Sequence, residues 1–238
     1  MHARIPLLAR TFLMPSTAAV LVGCSTADGT AKTSGAEPSS STTATAPAEA
    51  LSEAELEALV LQADDLPQAR PDGIPVQERT DPADRPSFKP ASDPDCQKVH
   101  DIRGGSTASA VVGQIINWKG GIYPGGATLA AYDDGKAEQL FTELEQALGS
   151  CATYQGDGWT GAYTSTVKTQ KAPEVGDEAL QYREYSTLEF GKRDELFIVV
   201  RTGNVIATYQ SLEVGRTSNF PTAPITKQTE RLRDAQSR

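Results

Sequence analysis

Leu196-Phe197-Ile198-Val199-Val200-Arg201-Thr202-Gly203-Asn204-Val205-Ile206-Ala207 is the stretch on which the fold turns. Residues 196–200 are apolar without alternation, so this strand must bury both faces and lie in the interior of a sheet. Gly203-Asn204 is a two-residue turn of the kind that needs positive φ at its first position, so Glu195–Thr202 and Val205–Gln210 form a hairpin. In that register Val200 faces Ala207 and Ile198 faces Tyr209.

Further strands are expected upstream of the hairpin. Ala179–Phe190 is strand-like, and Ala162–Lys171 alternates polar residues around Val167. Ala108–Trp118 and Gly126–Asp133 read as a second hairpin whose long connection holds Gly120-Gly121 and Gly125-Gly126. Between the hairpins, Ala137, Leu140, Phe141, Leu144 and Leu148 recur on one helical face, with Asp134 as the expected N-cap and Gly149 as the C-cap. Pro224 and Ile225 open a closing helix that turns Ile225, Leu232 and Ala235 inward. At the other end, Ser52-Glu53-Ala54-Glu55 is a capping box with Leu51 and Leu56 as its staple. Leu56, Leu59 and Val60 are the expected buried stripe, and Asp65-Leu66-Pro67 the stop. Residues 67–95 hold seven prolines and read as irregular surface chain with one short strand near Ile74–Arg79. The sum is an α+β fold: an antiparallel β-sheet with helices packed on it.

The N-terminus sets the address. His2, Arg4 and Arg10 precede an apolar run, Thr11–Val22, that is too short to span a bilayer, which takes about 20 residues. Leu21-Val22-Gly23-Cys24 closes it and looks like a bacterial lipobox. Residues 1–23 therefore read as a lipoprotein signal peptide, with Cys24 as the lipidated residue; two acyl chains hold a protein stably where one is marginal. Residues 24–50 contain no Leu, Ile, Val or aromatic residue and read as a disordered Ser/Thr/Ala/Pro tether. The domain proper is 51–238. The expected location is the extracytoplasmic face of the cell membrane, with the membrane reached through the anchor.

The chain carries 22 Lys and Arg against 31 Asp and Glu, a net charge of −9. Loss of the leader removes Arg4 and Arg10 and makes it −11. Such a balance does not suit nucleic acid, which is held by cations on phosphates. Of three cysteines, Cys24 is taken by lipid, which leaves Cys96 and Cys151 for one disulfide in an oxidising compartment; two free buried thiols are the alternative.

Catalytic signals are sparse. Past the leader there is one histidine, His100, and no nucleophile elbow. No metal-type spacing, phosphate loop or dinucleotide fingerprint occurs, so no metal or cofactor is expected. The candidate recognition residues are aromatic: Trp118, Tyr123, Trp159 and Tyr163 lie at strand ends or in glycine-rich connections. They can line a cleft for an apolar or sugar-like ligand, or cover sheet edges and fill the core. Arg201, among apolar neighbours, needs exposure at a cleft or a carboxylate such as Glu184 or Glu189.

Several motifs together resemble a known family. They are Leu66-Pro67, Cys96, the helix Phe141–Leu148 leading to Cys151, Val175-Gly176-Asp177-Glu178-Ala179, and Val199–Val205. Across roughly 51–236 the chain resembles the extracellular sensor domain of PknH-type bacterial serine/threonine kinases and their stand-alone lipoprotein relatives. The resemblance implies an α+β domain with a cleft for an unidentified ligand. Family members commonly have two disulfides, and this chain has cysteines for one. The expected function is a non-catalytic, anchored ligand-binding or sensor-like domain that takes a small-molecule or envelope ligand. The alternatives are a structural or interaction lipoprotein with an envelope protein partner, and a hydrolase using His100 or a carboxylate pair.

Overall fold

The computed structural model describes residues 49–77, 88–158 and 161–237. The expected signal peptide, Cys24, nearly all of the tether, Glu78-Arg79 and Trp159 lie outside them. Seven strands form one antiparallel sheet: β1 Ala110–Ile116, β2 Gly125–Ala131, β3 Thr153–Gly156, β4 Tyr163–Gln170, β5 Glu178–Leu188, β6 Gly191–Thr202 and β7 Val205–Val214. Their order is β1-β2-β7-β6-β5-β4-β3, so β6 is the middle strand, as its two apolar faces require. The β6–β7 register pairs Val200 with Ala207 and Ile198 with Tyr209, and Gly203 has φ +55° at the turn.

Helices α1 Glu53–Ala58, α2 Pro94–Arg103, α3 Lys136–Ser150 and α4 Thr222–Gln236 pack on the two faces. Leu196, Ile198 and Val200 join Leu56, Ile225 and Leu232 in the core beneath α1 and α4. Phe197 and Val199 join Cys96, Val99, Leu140 and Leu144 in the core beneath α2 and α3. Successive residues of β6 thus enter opposite cores, which makes the architecture an α+β sandwich of three layers. After β2 the chain runs through α3 to the far edge at β3 and returns strand by strand until β7 closes against β2.

The Ser52–Glu55 capping box forms, and Leu56 is fully buried. Other ends differ from expectation. Helix α1 stops at Ala58 rather than Asp65, because the chain turns there to satisfy Gln114, whose side-chain oxygen accepts from Leu61 N and whose amide donates to Leu61 O. A 3-10 turn, Ala63–Asp65, follows, and buried Asp65 accepts from Arg231 of α4 at 2.8 Å. The N-cap of α3 is Gly135 at φ +73°, not Asp134, and the helix runs through Gly149 to Ser150 with Cys151 as C-cap. Ala137, Leu140, Phe141, Leu144 and Leu148 are all buried, as their spacing requires. Ile225 and Leu232 of α4 are buried, while Ala235 is half-buried.

Two elements depart from the sequence reading. Strand β3 was not expected, and the proline-rich segment ends in a helix, α2. Pro94 is its first residue, where a missing amide costs nothing, and Asp93 Oδ1 caps Asp95 N and Cys96 N at 3.0 and 2.9 Å. The Cys96–Cys151 disulfide fastens α2 to the end of α3. The short strand expected near Ile74–Arg79 is reduced to a bridge at Val76 and backbone bonds that cover the β1 edge, such as Gln77 N to Gly113 O at 2.7 Å.

Candidate functional site

Cys96, Val99 and Ile102 of α2 face the core, which leaves His100 and Arg103 one turn apart on a flank that meets β5. There the Arg103 guanidinium donates to Glu184 Oε1 at 2.5 Å and to the Tyr182 hydroxyl at 3.0 Å, and lies 3.9 Å over the Phe197 ring. The Tyr154 hydroxyl of β3 meets Glu184 Oε2 at 2.5 Å, and His100 Nε2 lies 3.1 Å from that hydroxyl. Burial alone would push Glu184 up, but Arg103, then His100 and Tyr154, more than offset it and hold the carboxyl at about 2. Burial and the adjacent Glu184 charge push Tyr154 well above the usual tyrosine range.

This fixes the protons. Glu184 is ionised, so Tyr154 donates to it, and that single hydrogen is spent. His100 Nε2 must then be the donor to the Tyr154 oxygen, which leaves Nδ1 as the ring's remaining hydrogen-bonding atom.

Glu195 lies directly opposite Glu184 in the β5–β6 register. Like charges in that position repel. Arg193 and Gln210 both donate to Glu195, yet its burial comes first and, with the Glu184 charge, leaves its pKa raised. Two opposed carboxyls are thus driven in opposite directions.

Above the network lies a cavity of about 270 Å³, lined by Phe88, Pro90, His100, Gly156, Asp157 and Tyr163 among others. Tyr163 closes over Gly156: a Cβ there would sit 2.6 Å from the ring, so only glycine admits this packing. The Tyr163 ring stands edge-on to Tyr154, 6.2 Å between centroids. His100 therefore both lines the cavity and touches the buried network. Among the described residues, Glu184 and Glu195 line none of these cavities, and no serine, threonine or cysteine lines this one.

The aromatic residues singled out from sequence separate. Tyr163 belongs to this cavity. Trp118 packs on the opposite core, edge-on to Phe220 at 5.5 Å, above Gly125. Tyr123 is half-buried in the β1–β2 connection. Arg201 finds its carboxylates in Glu178, directly across the β5–β6 ladder, and Asp177, not in Glu184 or Glu189. Asp177 also accepts from Gly203 N at 2.7 Å, so the Gly176-Asp177-Glu178 motif ties the start of β5 to the β6–β7 turn. Arg103 and Glu184 were missed as a site. The sequence signal was the i, i+3 pair His100/Arg103, which lies just past the segment read as irregular, in a stretch given no element.

No family model matches the sequence, and no curated protein matches it. No described helix is long and apolar enough to cross a membrane. The fold is similar to that in the crystal structure of the extracellular domain of PknH from Mycobacterium tuberculosis, with a TM-score of 0.57 and 15% identity. The match covers 80% of this chain and 98% of that one, and what the two share is the fold.

Proposed function

We propose that this protein is a lipid-anchored extracytoplasmic lipoprotein whose domain binds a ligand without transforming it, at the cavity between α2 and the β3–β4 hairpin. The observation that carries this reading is the tie between the cavity and the core. His100 lines the first and, through Tyr154 and Glu184, is locked to Arg103 in the second. A pre-organised polar group at the edge of a partly apolar cavity suits recognition. Among the described residues, the two carboxyls with divergent pKa values line none of the cavities, so they do not face a ligand bound here as an acid–base pair would. The lipobox, Leu21–Cys24, supports the anchor, and similarity to an extracellular domain supports the location.

Two measurements test the reading. Intact-mass analysis of the membrane fraction should find the mature chain beginning at acylated Cys24; a soluble chain retaining residues 1–23 would reject the anchor. Thermal-shift screening of envelope glycans and lipids should yield a class that stabilises the full chain but not His100→Ala. Equal shifts in both proteins, or none with any class, would reject the cavity.

A further inference from the structure

The α1/α4 core takes buried residues from β1, β2, β6 and β7 and none from β3, β4 or β5. On that side the outer three strands carry no helix among the described residues. Registered partners in a sheet share a face, so Leu196, which belongs to that core, places Arg183 and Lys168 on the same side. By alternation Thr153, Gln155, Thr164, Thr166, Tyr185 and Thr187 face the same way. Thr153, Gln155, Thr164, Lys168 and Thr187 are exposed, Thr166 and Tyr185 are half-buried, and Arg183 is buried against Asp194 and Ser218.

Half-solvated antiparallel sheets are common, so openness alone says little. The shape and chemistry say more. A cavity of about 350 Å³ is lined by Tyr185, Lys192, Asp194 and Arg216. A second, of about 580 Å³, is lined by Tyr185, Thr164, Thr166, Thr187, Gln155 and Tyr163. Tyr185 borders both, and Tyr163 borders the second and the His100 cavity. Tyr163 turns its ring to the opposite face, toward Tyr154, so the continuous run on this face is the pair of concavities joined by Tyr185, which suits a linear ligand better than a compact one.

Charge points the same way. Asp194 is occupied by Arg183 at 2.5 Å and Ser218 at 2.7 Å, and Glu213 by Arg216 at 2.9 Å. Among the described residues, that leaves Lys168 and Lys192 as the unpaired charges on the strands of this face, with Glu189 beyond it in the β5–β6 turn. A positive face on a chain of net charge −9 is a local reversal. The two lysines do not converge as a phosphate site would need. They lie two strands apart, roughly 10 Å or more, and Lys192 Nζ sits 4.1 Å over the Tyr185 ring. Between them are hydroxyls, an amide and an aromatic ring, the groups that meet sugar hydroxyls and sugar faces.

We infer that the face of β3–β5 opposite α2 and α3 binds a linear acidic glycan, running from Lys192 and Tyr185 across the threonines toward Tyr163. This rests on the reading of the chain as a ligand-binding domain and extends its binding surface beyond the His100 cavity.

Calorimetric titration of the full chain at low salt tests it, with a short oligogalacturonate as the probe. Oligogalacturonate should bind saturably and more tightly than a neutral cello-oligosaccharide. Lys192→Gln and Tyr185→Ala should each weaken it by about five- to tenfold, while Lys136→Gln on α3 leaves it unchanged. Circular dichroism checks that Tyr185→Ala folds, and exposed Lys192→Gln carries the test if it does not. Absence of binding overturns the inference, as does equal displacement by inorganic polyphosphate, which would reduce the face to a charge patch. A loss in His100→Gln with none in Lys192→Gln also overturns it, while leaving the cavity between α2 and the β3–β4 hairpin as the binding site.

Discussion

Arg103 Nη1 on α2 lies 2.5 Å from Glu184 Oε1 on β5, joining residues 81 positions apart across the core beneath α2 and α3. The pair is the charge balance on which the surrounding tyrosines and His100 are arranged. Breaking one half of a buried pair leaves the other charge without compensation. Arg103→Leu should therefore cost about 3–5 kcal/mol, measured by urea unfolding. Adding Glu184→Gln should recover part of that loss, because it removes the stranded charge. Full additivity of the two substitutions would show that the ion pair carries no coupling.

The two opposed carboxyls predict opposite pH dependences. Glu184 is held at about 2 in the folded protein, below its ordinary 4.5. Its contribution is full above about 4.5 and is lost as pH falls toward 2, a span worth on the order of 3 kcal/mol. Glu195 is shifted upward, so its contribution is full below its ordinary value and is lost as pH rises through the folded one. Stability measured against pH should have a shallower acid-side slope in Glu184→Gln, with Asp65 still contributing to it, and a weaker decline on the higher-pH side in Glu195→Gln.

The disulfide closes a loop with a sequence separation of 55 and holds α2, hence His100 and Arg103, to α3. Replacing Cys96 and Cys151 together by alanine should cost about 4 kcal/mol on the chain-entropy account. Limited proteolysis should then cut first between Phe88 and Arg103. A variant whose α2 stays protected would show that core packing alone seats the helix.

Gly176 has φ +71°, and a Cβ there would lie 2.6 Å from the Arg201 carbonyl oxygen and closer still to Val200. Gly176→Ala should destabilise by at least about 2 kcal/mol, from left-handed strain and overpacking together. Thermal melting checks this, with Gly149→Ala as control: that helical position has open space around it and should be neutral or slightly stabilising.

The elements that were legible from sequence have strong local periodicity. Five apolar residues in a row placed β6 at the sheet centre, and the i, i+3, i+4 pattern placed α3. Ser52 and Glu55 marked the start of α1, but its end depends on Gln114, more than fifty residues away, and was not legible. Helix α2 was hidden because it buries only Cys96, Val99 and Ile102 and follows a run of prolines. With α2 missed, His100 read as an isolated histidine, and Glu184 was matched to Arg201 instead of Arg103.

By itself, the sequence determined the antiparallel sheet, its central strand and the disulfide partners. These follow from residue periodicity, turn chemistry and cysteine count, all of which act over short spans or need no geometry. Only the tertiary structure decided that His100, Tyr154, Glu184 and Arg103 share one network, that Trp118 and Tyr163 pack on opposite faces, and that no described helix covers β3–β5 on the side away from α2 and α3. Those outcomes depend on which strand lies beside which and where each helix lands, and ion pairing across 81 residues leaves no periodic trace in the chain.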